Sequence, residues 1–142
     1  IACRQGVRPE VLAELRRHKN TPPQIMYGVG GEPTLDEFEL PHLEGYRASR
    51  PVRVGNAAYN QRQLDVYGGI LDAAYAYEKH GELLEPHEWQ LLHAEIDYVC
   101  EHWNEPDQGI WEMRAAPEHH TFSKVMCWVT LDRGRARLEA VR

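Results

Sequence analysis

Apolar residues recur at helical spacing in four stretches of the chain, and the stretches between them show no sustained period. Pro9 opens the first, with Val11, Leu12 and Leu15 on one face, Arg16 to Lys19 closing it and Asn20 to Pro23 ending it. From Gln24 to Asn56 the chain is rich in Gly and Pro, which predicts a long irregular segment with short strands near Ile25–Tyr27 and Val52–Val54. An irregular segment of that length in a compact domain is usually functional. A long helix is expected from Ala57 to Lys79, where Leu64, Leu71 and Tyr75 share a face and Gly81 supplies the stop. Pro86 opens another, striped by Trp89, Leu92, Ile96, Val99 and Trp103 and ended by Glu105-Pro106. Asn104 to His120 is irregular again. The last helix begins at Thr121 or Ser123 and carries Val125, Trp128, Val129, Leu131 and Ala136.

This order predicts an all-α fold of about four helices with long irregular loops. Short and long connections alternate, as they do in a toroid of antiparallel helices with its working loops at one end. The strands are too few and too short for a main sheet. No internal repeat or linker divides the chain, so residues 1–142 read as one partial domain. The start at Ile1 rather than Met leads us to expect further residues upstream.

Composition narrows the function. The net charge of −6 is spread along the chain, which argues against a nucleic acid partner, since phosphate binding needs a concentrated Lys/Arg surface. No apolar run approaches the roughly 18 residues of a membrane span. Cys3, Cys100 and Cys127 are odd in number and scattered, so free buried thiols in a reducing, cytoplasmic compartment are expected. The oligomeric state is open.

Chemistry concentrates in Glu105-Pro106-Asp107-Gln108-Gly109-Ile110-Trp111-Glu112-Met113-Arg114. A glycosidase needs one carboxylic acid to protonate the departing oxygen and a second carboxylate opposite it. An apolar wall keeps such an acid protonated near neutral pH, and Glu112 directly follows Ile110 and Trp111. Trp111 could stack on a sugar, Gly109 permits a sharp turn, and Arg114 could bind sugar hydroxyls or orient a carboxylate. Taken alone, a Glu in a polar loop is more often a solvated charge, and both readings stand. Asp65 could be a second carboxylate, or a structural residue sharing a polar helical stripe with Gln61. Asn56 suits an N-cap, and Arg53 a tie between loop and helix. Glu118, His119 and His120 fit no zinc spacing, so no metal and no organic cofactor is expected. Gly28, Gly30 and Gly31 lack the Lys-Ser/Thr of a phosphate loop. Trp89, Trp103 and Trp128 lie on helical stripes and are expected in the core.

Several stretches together resemble glycoside hydrolase family 15, which contains glucoamylases, isomaltose-type glucohydrolases and some microbial trehalases. They are Gln24-Ile25-Met26-Tyr27-Gly28, Gly31-Glu32, Leu43-Glu44-Gly45-Tyr46, Ser49 to Ala58, Gln63 to Gly68, Glu105-Pro106-Asp107, Gly109 to Glu112 and Ser123 to Met126. Their order and spacing are similar to the bacterial and archaeal branch. The resemblance implies part of an (α/α)6 barrel and inverting hydrolysis of terminal α-glucosidic bonds, with Glu112 as general acid. It places Ile110 and Trp111 at the terminal glucose and Arg50 at the adjoining subsite. Met113 stands where fungal glucoamylases carry another acid, so their substrate preferences do not transfer.

The resemblance puts the general base well beyond Arg142 and another glucose-gripping loop before Ile1, so the piece alone is expected to be inactive. The expected partner is an α-glucan oligosaccharide, with glucan 1,4-α-glucosidase activity placed first. Trehalose is the alternative substrate, and a non-catalytic carbohydrate-sensing domain of the same fold is the rival from another class.

Overall fold

A computed structural model describes residues 23–140. The helix expected at Pro9–Lys19 lies outside them. Within them are a two-stranded antiparallel sheet, β1 (Phe38–Glu39) and β2 (Arg53–Val54), and three helices. These are α1 (Asp65–Lys79), α2 (Pro86–His102) and α3 (Thr121–Ala140). The fold is helical, as the periodicity implies, and none of these helices is long and apolar enough to cross a membrane.

The sheet corrects one expectation and completes another. Ile25–Tyr27 forms no strand, whereas Arg53–Val54 does, with Phe38 opposite Val54 and Glu39 opposite Arg53. Leu40 N donates to Val52 O (2.8 Å) and Asn56 N to Leu35 O (2.9 Å), closing the irregular segment into a hairpin-like loop.

The helix expected from Ala57 starts eight residues later. Ala57–Asn60 is a separate 3₁₀ turn, capped by Asn56, whose Oδ1 accepts from Ala58 N at 2.9 Å. Gln61 is then extended (ψ 149°). The backbone of the next residues is committed elsewhere: Gln108 N donates to Arg62 O, Arg62 N to Gln108 Oε1 (both 3.1 Å), and Leu64 N to Asp107 Oδ2 (2.8 Å). Groups bonded to another segment cannot serve a helix. Gln61 therefore precedes α1 and shares no helical stripe with Asp65.

The ends of α1 and α2 follow their sequence signals. Gly81 (φ 87°) stops α1 with its N–H on Glu78 O at 3.0 Å. Pro86 starts α2, and Glu88 Oε2 accepts from Glu85 N at 2.7 Å, half of a capping box.

Leu64, Tyr67, Gly68 and Leu71 form the buried face of the α1 segment, at the 3–4–7 spacing of one helix side. They meet a face of α3 made of Ser123, Cys127, Thr130 and Gly134, which are small and partly polar. Leu64, Tyr67, Val99 and Cys127 form the central cluster, with Tyr98 and Leu131 against it.

The expected α3 stripe holds in part: Leu131 packs against this cluster and Val129 and Ala136 are partly buried. Val125 and Trp128 are half-exposed or more, and so is Trp103 on the other side of the 103–120 loop. Cys127 is buried, but Cys100 is exposed. Small residues win the interface because they let backbones approach: a Cβ on Gly68 would stand 2.5 Å from Met126 O, and one on Gly134 2.7 Å from Ile96 Cδ1.

Gly68→Ala must therefore push α1 from α3, since a backbone carbonyl cannot move aside as a side chain can. We expect a loss of about 1–3 kcal/mol in urea unfolding of the intact protein. Gly69→Ala, where a Cβ meets nothing within 4 Å, is the matched control and should cost nothing.

Candidate active site

The chemistry-bearing loop leaves α2 at Trp103 and enters α3 at Thr121, and its root is fixed by buried polar contacts. Asp107 has no exposed surface. Its Oδ2 accepts from Leu64 N just before α1 (2.8 Å) and from Ser123 Oγ in the first turn of α3 (2.7 Å). Its backbone pairs with Glu118 in both directions (2.9 and 2.8 Å), closing the 108–117 excursion like a clasp. Asp65 is buried nearby, and burial pushes its carboxyl above the usual carboxylate range, with the Asp107 carboxylate acting in the same direction.

Charged side chains secure the loop's outer strand. Arg62 forms an ion pair with Glu105 and donates to Pro106 O at 2.7 Å. Lys124 Nζ donates to Trp103 O (2.8 Å) and to Glu105 O. The Arg62 guanidinium, and then His102, hold Glu105 below the usual carboxylate range.

Gly109 (φ 66°) turns the chain where a Cβ would meet the His120 ring at 2.9 Å, so the position admits only glycine comfortably. Three residues on, Glu112 also has a positive φ of 51°. For a residue with a Cβ this left-handed conformation costs on the order of 1–2 kcal/mol. It is over-determined by its surroundings. Glu112 N donates to Gly109 O (3.3 Å), and Gln61 Nε2 donates to Glu112 O (3.4 Å) and Met113 O (3.1 Å). The carboxylate Oε2 accepts from Asn56 Nδ2 at 3.3 Å.

Of the five residues the sequence singles out, the structure brings Ile110, Trp111, Glu112 and Arg114 into one exposed loop. Arg114 is already engaged: it grips Glu37 through two bonds of 2.6 and 3.3 Å. Glu37 also accepts from Ala57 N (3.3 Å) and lies 3.6 Å from Arg53 Nε. Arg114 thus orients a carboxylate, and its guanidinium holds Glu37 below the usual carboxylate range, followed in effect by the Ala57 N–H. This tether between loop and hairpin is intact above the ordinary Glu pKa and is lost as pH falls through Glu37's lowered one. Arg50 stands apart from that group, paired with Glu44 at 3.5 Å in the exposed loop before β2.

The apolar wall expected beside Glu112 is not built from its neighbours. Ile110 is 50% exposed and Trp111 84%, so both side chains face outward and are available to a ligand. Glu118, His119 and His120 do not converge, and the described residues hold no group of three metal-binding side chains. Sequence reasoning missed Glu37, Arg62 and Lys124 as ties, and used Gln61 and Asn56 only for helix placement. Asn56 and Lys124 lie in the Arg53-Val54-Gly55-Asn56 and Ser123-Lys124 stretches, which were the available signal for those two.

The sequence profile of "Glycosyl hydrolases family 15" matches residues 4–142. A trehalase of Mycobacterium tuberculosis is 56% identical over 113 residues, 80% of this chain and 17% of the relative. The trehalase of Mycolicibacterium smegmatis is 55% identical over 113 residues, with the same coverage of 80% and 17%. Trehalase 1 of Sulfolobus acidocaldarius is 46% identical over 110 residues, 76% of this chain and 20% of the relative. The chain therefore spans about a fifth or less of the length of these relatives. No solved structure matches it significantly.

Asp107→Ala removes the shared acceptor and strands the Leu64 N–H and the Ser123 hydroxyl in the interior. Each unpaired buried group costs about 1–3 kcal/mol, so unfolding stability should fall by roughly 3 kcal/mol. A loss below about 1 kcal/mol, read from denaturant unfolding, would show that the clasp contributes little.

Proposed function

We propose, for a chain that belongs to glycosyl hydrolases family 15, that the whole protein hydrolyses α,α-trehalose, with Glu112 as the general acid. The observation that carries this reading is the likeness to proteins named trehalase. A 113-residue match within a chain of 142 has to include residues 30–113, and so includes Glu112 and the hairpin around it. Terminal glucan bonds are the first expectation from the sequence, and the relatives' names favour trehalose instead.

In the proposed reaction Glu112 donates its proton to the oxygen joining the two anomeric carbons. The C1–O bond on one glucose breaks as water attacks that carbon from the opposite face. A second carboxylate takes the water's proton. The family resemblance implies that this base lies outside the described residues; within them Glu37 is bound to Arg114, and Asp65 and Asp107 are buried. In an inverting site the two carboxyl groups stand about 6.5–9.5 Å apart, with the water between them. Trp111 offers a stacking surface to one glucose, Ile110 packs beside it, and Arg50 borders the adjoining subsite. Inversion releases one β-glucose from the attacked ring and one α-glucose as the leaving group.

The test is to assay the intact protein on trehalose, maltose, isomaltose and starch. Trehalose should be the preferred substrate. Glu112→Gln should lower kcat about 10²–10⁴-fold. Preference for maltose or starch would return the glucan reading, and near-parental turnover in Glu112→Gln would remove the acid from this residue.

A further inference from the structure

The side chain of Asn56 has its orientation fixed by a bond that has nothing to do with Glu112. Its Oδ1 accepts from Ala58 N at 2.9 Å as the cap of the 3₁₀ turn. The amide can therefore present only its Nδ2 to the other side, and that nitrogen lies 3.3 Å from Glu112 Oε2. An N–H donor is best matched by the unprotonated carboxyl oxygen, so the contact favours Oε2 as the acceptor and Oε1 as the carrier of the proton.

Gln61, five residues further on, acts on the backbone of the same residue. Its Nε2 spans the carbonyls of Glu112 (3.4 Å) and Met113 (3.1 Å), on either side of the left-handed step at Glu112. Its own Oε1 is buried with no hydrogen-bond partner among the described residues, so the bonds of its amide nitrogen are what fix its pose. The extended backbone at Gln61 delays the start of α1, and this places the side chain under the loop instead of on a helix face.

We propose that Asn56 and Gln61 are positioning residues for Glu112: Asn56 directs the transferable proton to Oε1, and Gln61 holds the backbone that aims it. This rests on the reading of Glu112 as the general acid. Neither residue touches the reacting atoms. Both act through Glu112.

The experiment measures kcat and KM on trehalose across pH for the intact protein and three variants. Asn56→Asp keeps the acceptor that caps Ala58 N but replaces the donor facing Glu112 with a second carboxylate oxygen. A lost donor and an added like charge both disfavour ionised Glu112. The alkaline limb of kcat should move up by about one pH unit, with kcat lowered about tenfold and KM changed much less. Gln61→Met preserves length without a donor. It should lower kcat by a similar factor, roughly tenfold, while the limb stays in place, because only carbonyls lose a partner.

Glu112→Gln separates the two claims. If it keeps turnover, the general-acid reading falls and takes this inference with it. If it is inactive while Asn56→Asp has the parental kcat and alkaline limb, only the positioning role is overturned. A fall in kcat for Asn56→Asp with an unmoved limb also overturns it, since a merely structural defect would do that.

Discussion

One buried carboxylate organises this part of the molecule. Asp107 reaches the amide just before α1 and a hydroxyl in the first turn of α3, while its backbone clasps Glu118. Two helix starts and both ends of the 108–117 excursion are thereby referred to a single residue with no solvent access. A buried polar group of this kind is costly when unpaired and specific when paired, so it fixes geometry more than it adds stability. Arg62, Lys124 and Arg114 extend the same plan to the surface, where each contact is worth less alone but the set limits where the loop can lie.

The helices serve this arrangement through close approach. Gly68 lies against the backbone of Met126 and Gly134 against Ile96, so α1, α2 and α3 pack through small residues and leave larger ones outside. Such short interhelical distances bring Asp107, Leu64 and Ser123 within hydrogen-bond range of one another. The family to which the chain belongs is an (α/α)6 barrel, and these three helices are a part of that architecture. Besides Arg47 and Ala48 in the loop before β2, the left-handed non-glycine residue on this frame is Glu112, whose backbone is held by Gln61 and by the turn from Gly109. Strain held in place by several contacts at a reactive side chain is a common feature of working sites.

Much of this was legible in the sequence, and the failures have physical causes. Helical periods, Pro86 and Gly81 located α2 and the end of α1, because those signals act locally. The helical period places the start of α1 eight residues too early, since Arg62 and Leu64 give their backbone groups to a loop more than forty residues away. Trp103 and Trp128 were assigned to the core from their stripes. A stripe says that a residue type recurs on one face and does not say which face meets the neighbour. The loop's composition and the resemblance single out Trp111 and Glu112 as candidates, whereas Glu37 carries no such signal, because its partner Arg114 lies 77 residues away.

The placement of Glu112 depends on the Asp107 clasp, and amide hydrogen exchange of the intact protein tests that clasp directly. Leu64 precedes α1 and has no helical acceptor, so its amide is slow only if Asp107 holds it. With the clasp in place, the Leu64, Asp107 and Glu118 amides exchange as slowly as the interior of α1 while residues 110–116 exchange rapidly between them. If Leu64 exchanges as fast as those loop amides, the clasp is absent and the placement of Glu112 loses its support.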